Sequence, residues 1–468
     1  MPDRPNILLI ISDQQRTDTL GFRGLTPCKT PNMDRLAREG ISFDRAITPS
    51  PLCLPARSAM FTGQYPHQTN MMDNDDSLST ESFLLTRMRD AGYCVDYAGK
   101  WHLGEDNIHQ WTDRHAGDST VAYSQWCHSR GIADGWAFND PATRTHRTPH
   151  MSIPAASVSP IKPEETNDAW ITDHAINFIR TRDRQQPFFL TCSFNGPHPP
   201  FRIPEPYYSM YAADDIPEPP NFHPSRLTGE PDSNRTSFYR TLWNDHGDQW
   251  NAWKKSVAVY WGFVSLIDAQ VGRVIECLEA EGLYDDTFII FASDHGEMLG
   301  QHGLWHKCHA YEESLRVPLI MRSPKNANAD IRSQSGASLI DIGPTILGQC
   351  AFEIPDEIEG IDLSPAFTSD SNWSADRLLF SEHKPLGDWH HAVDWRMVTD
   401  NRFKYTWNRG DRDELYNLET DLHEMCNLID DGKLANRVAA MRDQLHAWMR
   451  ATADPLLGVY EADQSAVS

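Results

Sequence analysis

A cysteine and an arginine lie four residues apart in the stretch 52–58, LCLPARS, which Thr62-Gly63 follow closely. A proline two residues after the thiol is typical of the first helical turn, where its missing N–H costs nothing. Cys53 is therefore predicted at or just before a helix N-terminus, where free N–H groups favour an anion. Arg57 would lie one turn along on the same face. The pattern indicates a nucleophile and a cation converging on an anion; the alternative is a buried cysteine beside a helix cap.

Two acidic residues follow similar apolar runs. Residues 7–11 are followed by Ser12-Asp13, and residues 288–292 by Ser293-Asp294-His295. Two carboxylates and an imidazole suit a divalent cation that keeps an open position for a substrate or nucleophile. The alternative is that each aspartate caps the helix after its strand. The repetition of the pattern supports a metal site formed by Asp13, Asp294 and His295 and leaves the capping alternative open.

Four further cationic or imidazole side chains follow strands or lie in loops: Lys100, His102, His198 and Lys307. Taken singly, each also fits a surface or loop residue. Together with a nucleophile and a metal, they suit displacement at a tetrahedral anionic centre, where charge stabilisation dominates. An unmodified thiol fits poorly beside the hard oxygen ligands of a calcium-like ion.

Strands and helices that alternate along the first 365 residues are expected to position these groups. The pattern predicts strands near 6–13, 43–47, 94–98, 187–194 and 286–293, and helices near 30–40, 79–91, 168–182, 253–281 and 338–347. Such alternation is typical of a mostly parallel α/β sheet covered by helices, with ligands outside the carboxyl ends of the strands. Residues 366–468 form a predicted second unit, with strands at 396–398, 403–407 and 414–418 and a helix at 434–451.

Two stretches, 105–166 and 201–248, lack long periodicity and are rich in Pro and aromatic residues. Irregular stretches of this length are more often functional than structureless. We expect them to shape a pocket beside His198 and Lys100.

Composition narrows the function classes. The 468 residues carry a net charge of −24, which argues against nucleic acid and anionic membranes as partners. The short apolar run at the N-terminus does not fit a signal peptide, and no segment reaches membrane-spanning length. Nine scattered cysteines without a CxxC pair favour neither a zinc site nor a disulfide framework. The sequence predicts a cytoplasmic enzyme.

The motifs, in their order, resemble those of the type I sulfatase family within the alkaline phosphatase superfamily. Residues 53–57, CLPAR, with Thr62-Gly63 match its C-x-P-x-R signature, and residues 99–104, GKWHLG, match its second motif. The remaining matches follow in order and span nearly the whole chain: Asp13, 197–199, 293–296, 307–312 and 414–428. The resemblance implies an alkaline-phosphatase-like fold with a smaller C-terminal α+β subdomain.

The chemistry that the resemblance implies explains how residue 53 could lie beside a calcium-like ion, although an unmodified thiol fits poorly there. In the family, the signature cysteine is oxidised to formylglycine by a maturation enzyme, and its hydrate supplies an oxygen nucleophile. Asp13, Cys53, Asp294 and His295 would hold the metal, with calcium as first choice and manganese or magnesium as alternatives. Arg57, Lys100 and Lys307 would bind the sulfate oxygens. His198, with Lys307, would protonate the leaving group, and His102 would act as base when sulfate is expelled.

Gln14 and His295 depart from the commonest family pattern, which has a second acid and an asparagine at these places. The pairing resembles the branch of choline sulfatases, phosphonate monoester hydrolases and bacterial carbohydrate sulfatases, in which homo-oligomers are common. Gln14 would bind the metal or brace its ligands, and Asn74 would contact the sulfate. The expected substrate is a small anionic carbohydrate, alkyl or aryl sulfate. The alternatives are a phosphonate or phosphate diester hydrolase and, more remotely, a non-catalytic anion-binding member.

Overall fold

The computed structural model describes residues 4–78, 84–104, 107–117, 120–132, 156–238, 240, 250–324, 329–367, 376–385 and 393–467. Within these ranges the backbone forms fourteen strands. In chain order they are β1 Asn6–Ser12, β2 Ile41–Ile47, β3 Cys94–Gly99, β4 Arg114–Ala116, β5 Ala156–Ser159, β6 Phe188–Ser193, β7 Phe201–Pro204, β8 Thr287–Ser293, β9 Leu319–Arg322, β10 Ile331–Ser338, β11 Leu379–His383, β12 Trp395–Thr399, β13 Phe403–Asn408 and β14 Glu414–Asn417.

The helices of the described residues cover the sheets. They are α1 Pro31–Arg38, α2 Cys53–Thr62, α3 Pro66–Thr69, α4 Leu84–Asp90, α5 Thr120–Ser129, α6 Asn167–Arg180, α7 Asp232–Thr236, α8 Trp250–Ala280, α9 Glu312–Leu315, α10 Ile342–Gln349, α11 Ala435–Ala451 and α12 Leu457–Val467.

Eight strands form one sheet in the order β10-β2-β9-β8-β1-β6-β3-β4. All neighbouring pairs are parallel except those of β9, which runs antiparallel to β2 and β8. The sheet is therefore mixed and mostly parallel, as predicted.

The central strand β1 explains why the sheet is covered on both faces. Leu8 and Ile10 pack into one apolar cluster with residues of the long helix α8. Ile7, Leu9 and Ile11 alternate with them and pack into a second cluster on the opposite face, with residues of α2 and α10. A strand that is buried on both faces reads as a continuous apolar run, which is the signal seen in residues 7–11.

The register of β1 and β8 places the two acidic residues side by side. The strands are parallel neighbours, with Ser12 opposite Ser293. Asp13 and Asp294 follow these residues, so both leave the sheet at the same carboxyl edge, and the Asp294 N–H donates to Ser12 O at 3.3 Å. Ligand sites of open α/β sheets form at such edges.

The smaller sheet, in the order β11-β12-β13-β14, is antiparallel throughout. Its apolar residues, among them Val398, Tyr405 and Leu415, share a core with Met441 and Leu445 of helix α11. The predicted fold class, including the C-terminal antiparallel strands with a helix, is confirmed.

Some local predictions were wrong. The stretch 105–166 contains β4, α5 and β5, and the stretch 201–248 contains β7 and α7, so neither is wholly irregular. Strands β9, β10 and β11 were not predicted. β10 has the sequence IRSQSGAS, and its polar residues Ser333, Ser335 and Ser338 are buried. A hydropathy pattern cannot find a strand of that composition. Among the described residues, we find no helix with the length and hydropathy of a membrane span.

Candidate active site

Helix α2 begins at Cys53, as predicted, and is buried along its whole length. Its own N-cap residue, Leu52, supplies no side-chain hydrogen bond. Instead the Asn74 Oδ1 accepts from the Leu54 N–H at 3.2 Å, so a residue from a separate loop satisfies one of the free donors at the helix start. Gly63 ends the helix with a φ of +69°, a backbone conformation that favours glycine.

The Cys53 thiol lies among the groups proposed as metal ligands. Its Sγ is 3.1 Å from His295 Nε2 and 3.8 Å from Asp13 Oδ1. With Asp294, these residues offer four ligand atoms that lie within 4.8 Å of one another, and all four are buried. His295 Nδ1 contacts the Gly296 carbonyl at 2.9 Å. Because a carbonyl only accepts, Nδ1 carries a proton toward Gly296, and Nε2 is the ring nitrogen that faces the cluster.

Arg57 is fully buried and ties the cluster together. Its Nε donates to Asp294 Oδ2 at 3.0 Å and its Nη2 to Asp13 Oδ2 at 3.2 Å. Its Nη1 donates to Ser193 Oγ at 2.7 Å and to the Lys100 carbonyl at 3.1 Å. The guanidinium therefore lies one helical turn behind Cys53, as the spacing predicts, and orients both carboxylates.

Lys100 and His102 follow strand β3. The Lys100 Nζ donates to Asp13 Oδ2 in a short contact. Burial and the Lys100 charge lower the pKa of His102, while a hydrogen bond to the Cys53 sulfur acts in the opposite direction. His102 is thus a neutral imidazole beside the residue proposed as the nucleophile. A neutral imidazole can accept a proton there.

Lys307 connects Gln14 with His198. Its Nζ donates to Gln14 Oε1 at 2.6 Å and lies 2.9 Å from His198 Nε2. The His198 Nδ1 contacts the Pro199 carbonyl at 2.6 Å, so Nδ1 bears the proton and Nε2 accepts from the ammonium. Burial and the Lys307 charge lower the pKa of His198 to about 3. The imidazole of His198 is therefore neutral.

The charges of the cluster show whether a divalent cation fits it. Burial and the neighbouring Asp13 charge raise the pKa of Asp294. Burial also disfavours the charge of Asp13, but Lys100 and the other nearby cations hold its pKa well below the ordinary value. A divalent cation would relieve the repulsion between the two carboxylates. The carboxylates of Asp13 and Asp294 and the Nε2 of His295 fit such an ion.

Several non-glycine residues at this edge have a left-handed backbone. The φ angles are 67° at Gln14, 52° at His102, 62° at His306 and 79° at Cys308. This region is uncommon outside glycine and concentrates at functional sites, where the surrounding structure holds the strain. The surrounding fold therefore holds these residues in an uncommon backbone conformation, which sets the direction of their side chains.

The structure brings the eleven residues selected from the sequence to one edge of the large sheet. Asn74 reaches it through the Leu54 N–H, at the start of the helix that carries Cys53. Sequence reasoning missed Glu297, which is fully buried and accepts from the Gln14 amide. The only signal was its position three residues after Asp294.

Comparison with known proteins agrees with this geometry. Residues 5–350 match the model of the family described as Sulfatase. The chain belongs to the sulfatase family. Residues 300–451 also match the model described as N-sulphoglucosamine sulphohydrolase, C-terminal. The protein is therefore an enzyme of the sulfuric ester hydrolase class.

Individual relatives cover almost the full sulfatase chain. The uncharacterized sulfatase YidJ of Escherichia coli is 31% identical, over 97% of this chain and 88% of its own. The arylsulfatase of Clostridium perfringens is 29% identical, over 94% and 93% of the two chains. The structure of the phosphonate monoester hydrolase from Silicibacter pomeroyi superposes with a TM-score of 0.80 at 25% identity, covering 97% of each chain.

Proposed function

We propose that this sulfatase hydrolyses sulfate monoesters of a carbohydrate, alkyl or aryl alcohol, with Cys53 oxidised to formylglycine and one divalent cation, Ca²⁺ as first choice. The observation that supports this most directly is the position of Cys53. Its side chain lies at the start of a buried helix, beside two carboxylates and an imidazole, with Arg57, Lys100 and Lys307 around it. A nucleophile placed there meets an anion that several fixed charges would hold.

The donor set supports an oxygen rather than a sulfur at position 53. Burial and Asp13 raise the pKa of the Cys53 thiol, but Lys100, Lys307 and His295 outweigh them and hold that pKa well below its ordinary value. A thiolate would nevertheless be a soft ligand among hard carboxylates. Formylglycine, made from Cys53 by a maturation enzyme, would supply a hydrated aldehyde oxygen as the nucleophile.

Asp13, Asp294, His295 and residue 53 would hold the cation. When bound, the cation supplies Lewis-acid stabilisation of the charge that develops on oxygen. Arg57 holds Asp13 and Asp294 in place through its fixed guanidinium plane. Because Arg57 is fully buried, its side chain needs little reorganisation during the reaction.

The chain's own residues would move the protons. Lys307 Nζ donates a proton toward the leaving oxygen, directly or through His198 Nε2, which accepts from it in the resting site. His102, neutral and beside residue 53, takes the proton from the second hydroxyl when sulfate is expelled. General acid–base steps of this kind contribute about 10²- to 10⁴-fold.

The test of this proposal is the identity and necessity of residue 53. Protein coexpressed with a formylglycine-generating enzyme should carry an aldehyde at position 53, seen by intact mass and by hydrazide labelling. Cys53→Ala should reduce aryl sulfate turnover to background, and Cys53→Ser should do the same because serine forms no aldehyde hydrate. Cys28→Ser alters a buried thiol that donates to the Trp261 carbonyl of α8 and should retain turnover. Undiminished activity of Cys53→Ala would refute the mechanism.

Phosphonate ester hydrolysis is the second candidate, favoured by the phosphonate monoester hydrolase structure reported above. The same site could bind either tetrahedral anion. The ratio of kcat/KM for an aryl sulfate and an aryl phosphonate monoester with the same leaving group decides between the two. A ratio above one supports the sulfatase assignment, and a ratio below one supports the alternative.

A further inference from the structure

Glu297 lies behind the candidate site, on the side of Gln14 away from Lys307. Its side chain is fully buried, and its Oε2 accepts from Gln14 Nε2 in a short contact. Its Oε1 accepts from the backbone N–H of His306 at 2.6 Å and of Leu299 at 3.1 Å. The carboxylate therefore binds the Gln14 side chain and the segment that leads into Lys307.

The Gln14 carboxamide lies between two groups of opposite charge. Its Nε2 faces the Glu297 carboxylate, and its Oε1 accepts from Lys307 Nζ at 2.6 Å. The opposite orientation would place an NH₂ group against an ammonium and an oxygen against a carboxylate. A carboxylate only accepts hydrogen bonds and an ammonium only donates them, so these two partners determine which way the Gln14 amide points. The backbone of Gln14 is fixed as well, since its N–H donates to Asp294 Oδ1 and its carbonyl accepts from Tyr260.

From these contacts we propose that Glu297 is a positioning residue, which fixes Gln14 Oε1 toward Lys307 and holds the backbone beside Lys307. The inference rests on the proposed function of the site. Within the part of the chain that the structure describes, Glu297 forms no hydrogen bond with Lys307 Nζ or Cys53, so it acts through Gln14 and through the His306 N–H. Gln14 in turn donates its N–H to the proposed ligand Asp294, and residues that support metal ligands typically change metal affinity or activity about 10- to 100-fold when they are replaced.

The isosteric variant Glu297→Gln removes the negative charge. The carboxamides of residues 14 and 297 can then each rotate by half a turn, because no charge fixes their orientation. We expect the affinity for Ca²⁺ or Mn²⁺, measured by isothermal titration calorimetry on the formylglycine-containing enzyme, to fall about 10- to 100-fold. We expect kcat/KM for an aryl sulfate to fall by a similar factor.

A charge-exchange variant separates positioning from general structural support. In Gln14→Glu with Glu297→Gln, residue 14 presents only oxygens, one to Lys307 and one to the amide of residue 297. Orientation then no longer depends on a carboxylate at position 297. The double variant should therefore recover cation affinity and kcat/KM relative to Glu297→Gln, and it remains informative if the single variant folds poorly. Gln14→Glu alone should have a lower Tm, because it places two carboxylates face to face.

Asp268→Asn is the matched control. Asp268 is a buried carboxylate on α8 that accepts from the backbone N–H groups of Asn32 and Met33, neither of which belongs to the candidate site. It should lower the Tm without changing cation affinity. The inference is overturned if Glu297→Gln retains wild-type cation affinity and kcat/KM, or if the double variant shows no recovery. If the wild type cleaves no sulfate ester but the affinity pattern holds, the proposed function fails and this inference stands.

Discussion

At the scale of single residues, the contact between Lys307 and His198 bears on which of the two would protonate the leaving group in the proposed mechanism. The His198 imidazole is neutral, because burial and the Lys307 charge lower its pKa to about 3. It therefore gives no ionisation between pH 5 and pH 8, and we propose the side chain of Lys307 as the proton source. Lys307→Ala should reduce kcat/KM about 10²- to 10⁴-fold near pH 8.

The pH dependence of Lys307→Ala has a definite sign. Loss of the neighbouring cation raises the pKa of His198, so the imidazolium becomes populated as the pH falls and can serve as a replacement donor. Expressed relative to wild type at each pH, kcat/KM of the variant should thus rise from pH 8 to pH 5.5. Adding His198→Ala should abolish that rise. Lys307→Arg, which keeps the charge but cannot give up a proton, should retain KM and lose kcat. A wild-type profile for Lys307→Ala would contradict this assignment.

Part of the candidate site was predictable from sequence because some of its side chains carry a local chemical signal. Cys53 and Arg57 are spaced by one helical turn, and Asp13 and Asp294 follow apolar runs. Glu297 carries no such signal, since its function depends on which residue the fold places in front of it. Its partner Gln14 is 283 residues away in the chain, and only the pairing of β1 with β8 brings them together.

At the scale of elements, the start of helix α2 depends on a loop outside the helix. The Asn74 Oδ1 occupies the place of an N-cap oxygen at the Leu54 N–H. Asn74→Ala should lower stability by about 0.5–2 kcal/mol, the usual cost of a lost cap, and reduce kcat because the helix positions residue 53. Asn74→Asp keeps the acceptor, so its Tm should match wild type. Its added negative charge should raise KM for an anionic ester.

Chemical denaturation and steady-state kinetics on both variants test this prediction. Equal loss of stability in Asn74→Ala and Asn74→Asp would show that the Oδ1 contact does not cap the helix. An unchanged KM in Asn74→Asp would place the side chain away from the substrate anion.

Elements were predictable where burial determines composition. β1, β6 and β8 lie inside the sheet and read as apolar runs, and α8 has apolar residues at helical spacing. β4 has only three residues, and β10 is a polar strand at the end of the sheet order. Their hydrogen bonds to neighbouring strands define them, and such long-range pairing leaves no local pattern.

At the scale of the whole molecule, a buried network joins the helices around the large sheet to the C-terminal sheet. His67 follows α2 in the short helix α3, and its backbone N–H and its Nδ1 contact Glu382 of β11 at 3.0 and 2.9 Å. Arg396 of β12 lies 3.4 Å from Glu382 and donates to Asp454 at 2.5 Å. Charged hydrogen bonds thus connect strand β11 of the C-terminal sheet to helix α3, which follows the helix α2 that carries Cys53.

This network makes part of the stability pH-dependent. Burial lowers the pKa of His67, but the Glu382 charge outweighs it, so the pKa lies above its ordinary value of about 6.5. A raised pKa means that the stabilisation is fully present below about pH 6.5 and is lost as pH rises through the folded-state value. His67→Gln should therefore cost about 1.5–3 kcal/mol at pH 6, the range for a hydrogen bond to a charged group. The difference in stability from wild type should shrink toward pH 9.

Urea unfolding at pH 6 and pH 9 measures this difference in the free energy of unfolding. The control is His446→Gln, which alters a surface pair with Glu461 and should leave the unfolding midpoint unchanged. A deficit that grows with pH would show that His67 is not charged in the folded protein.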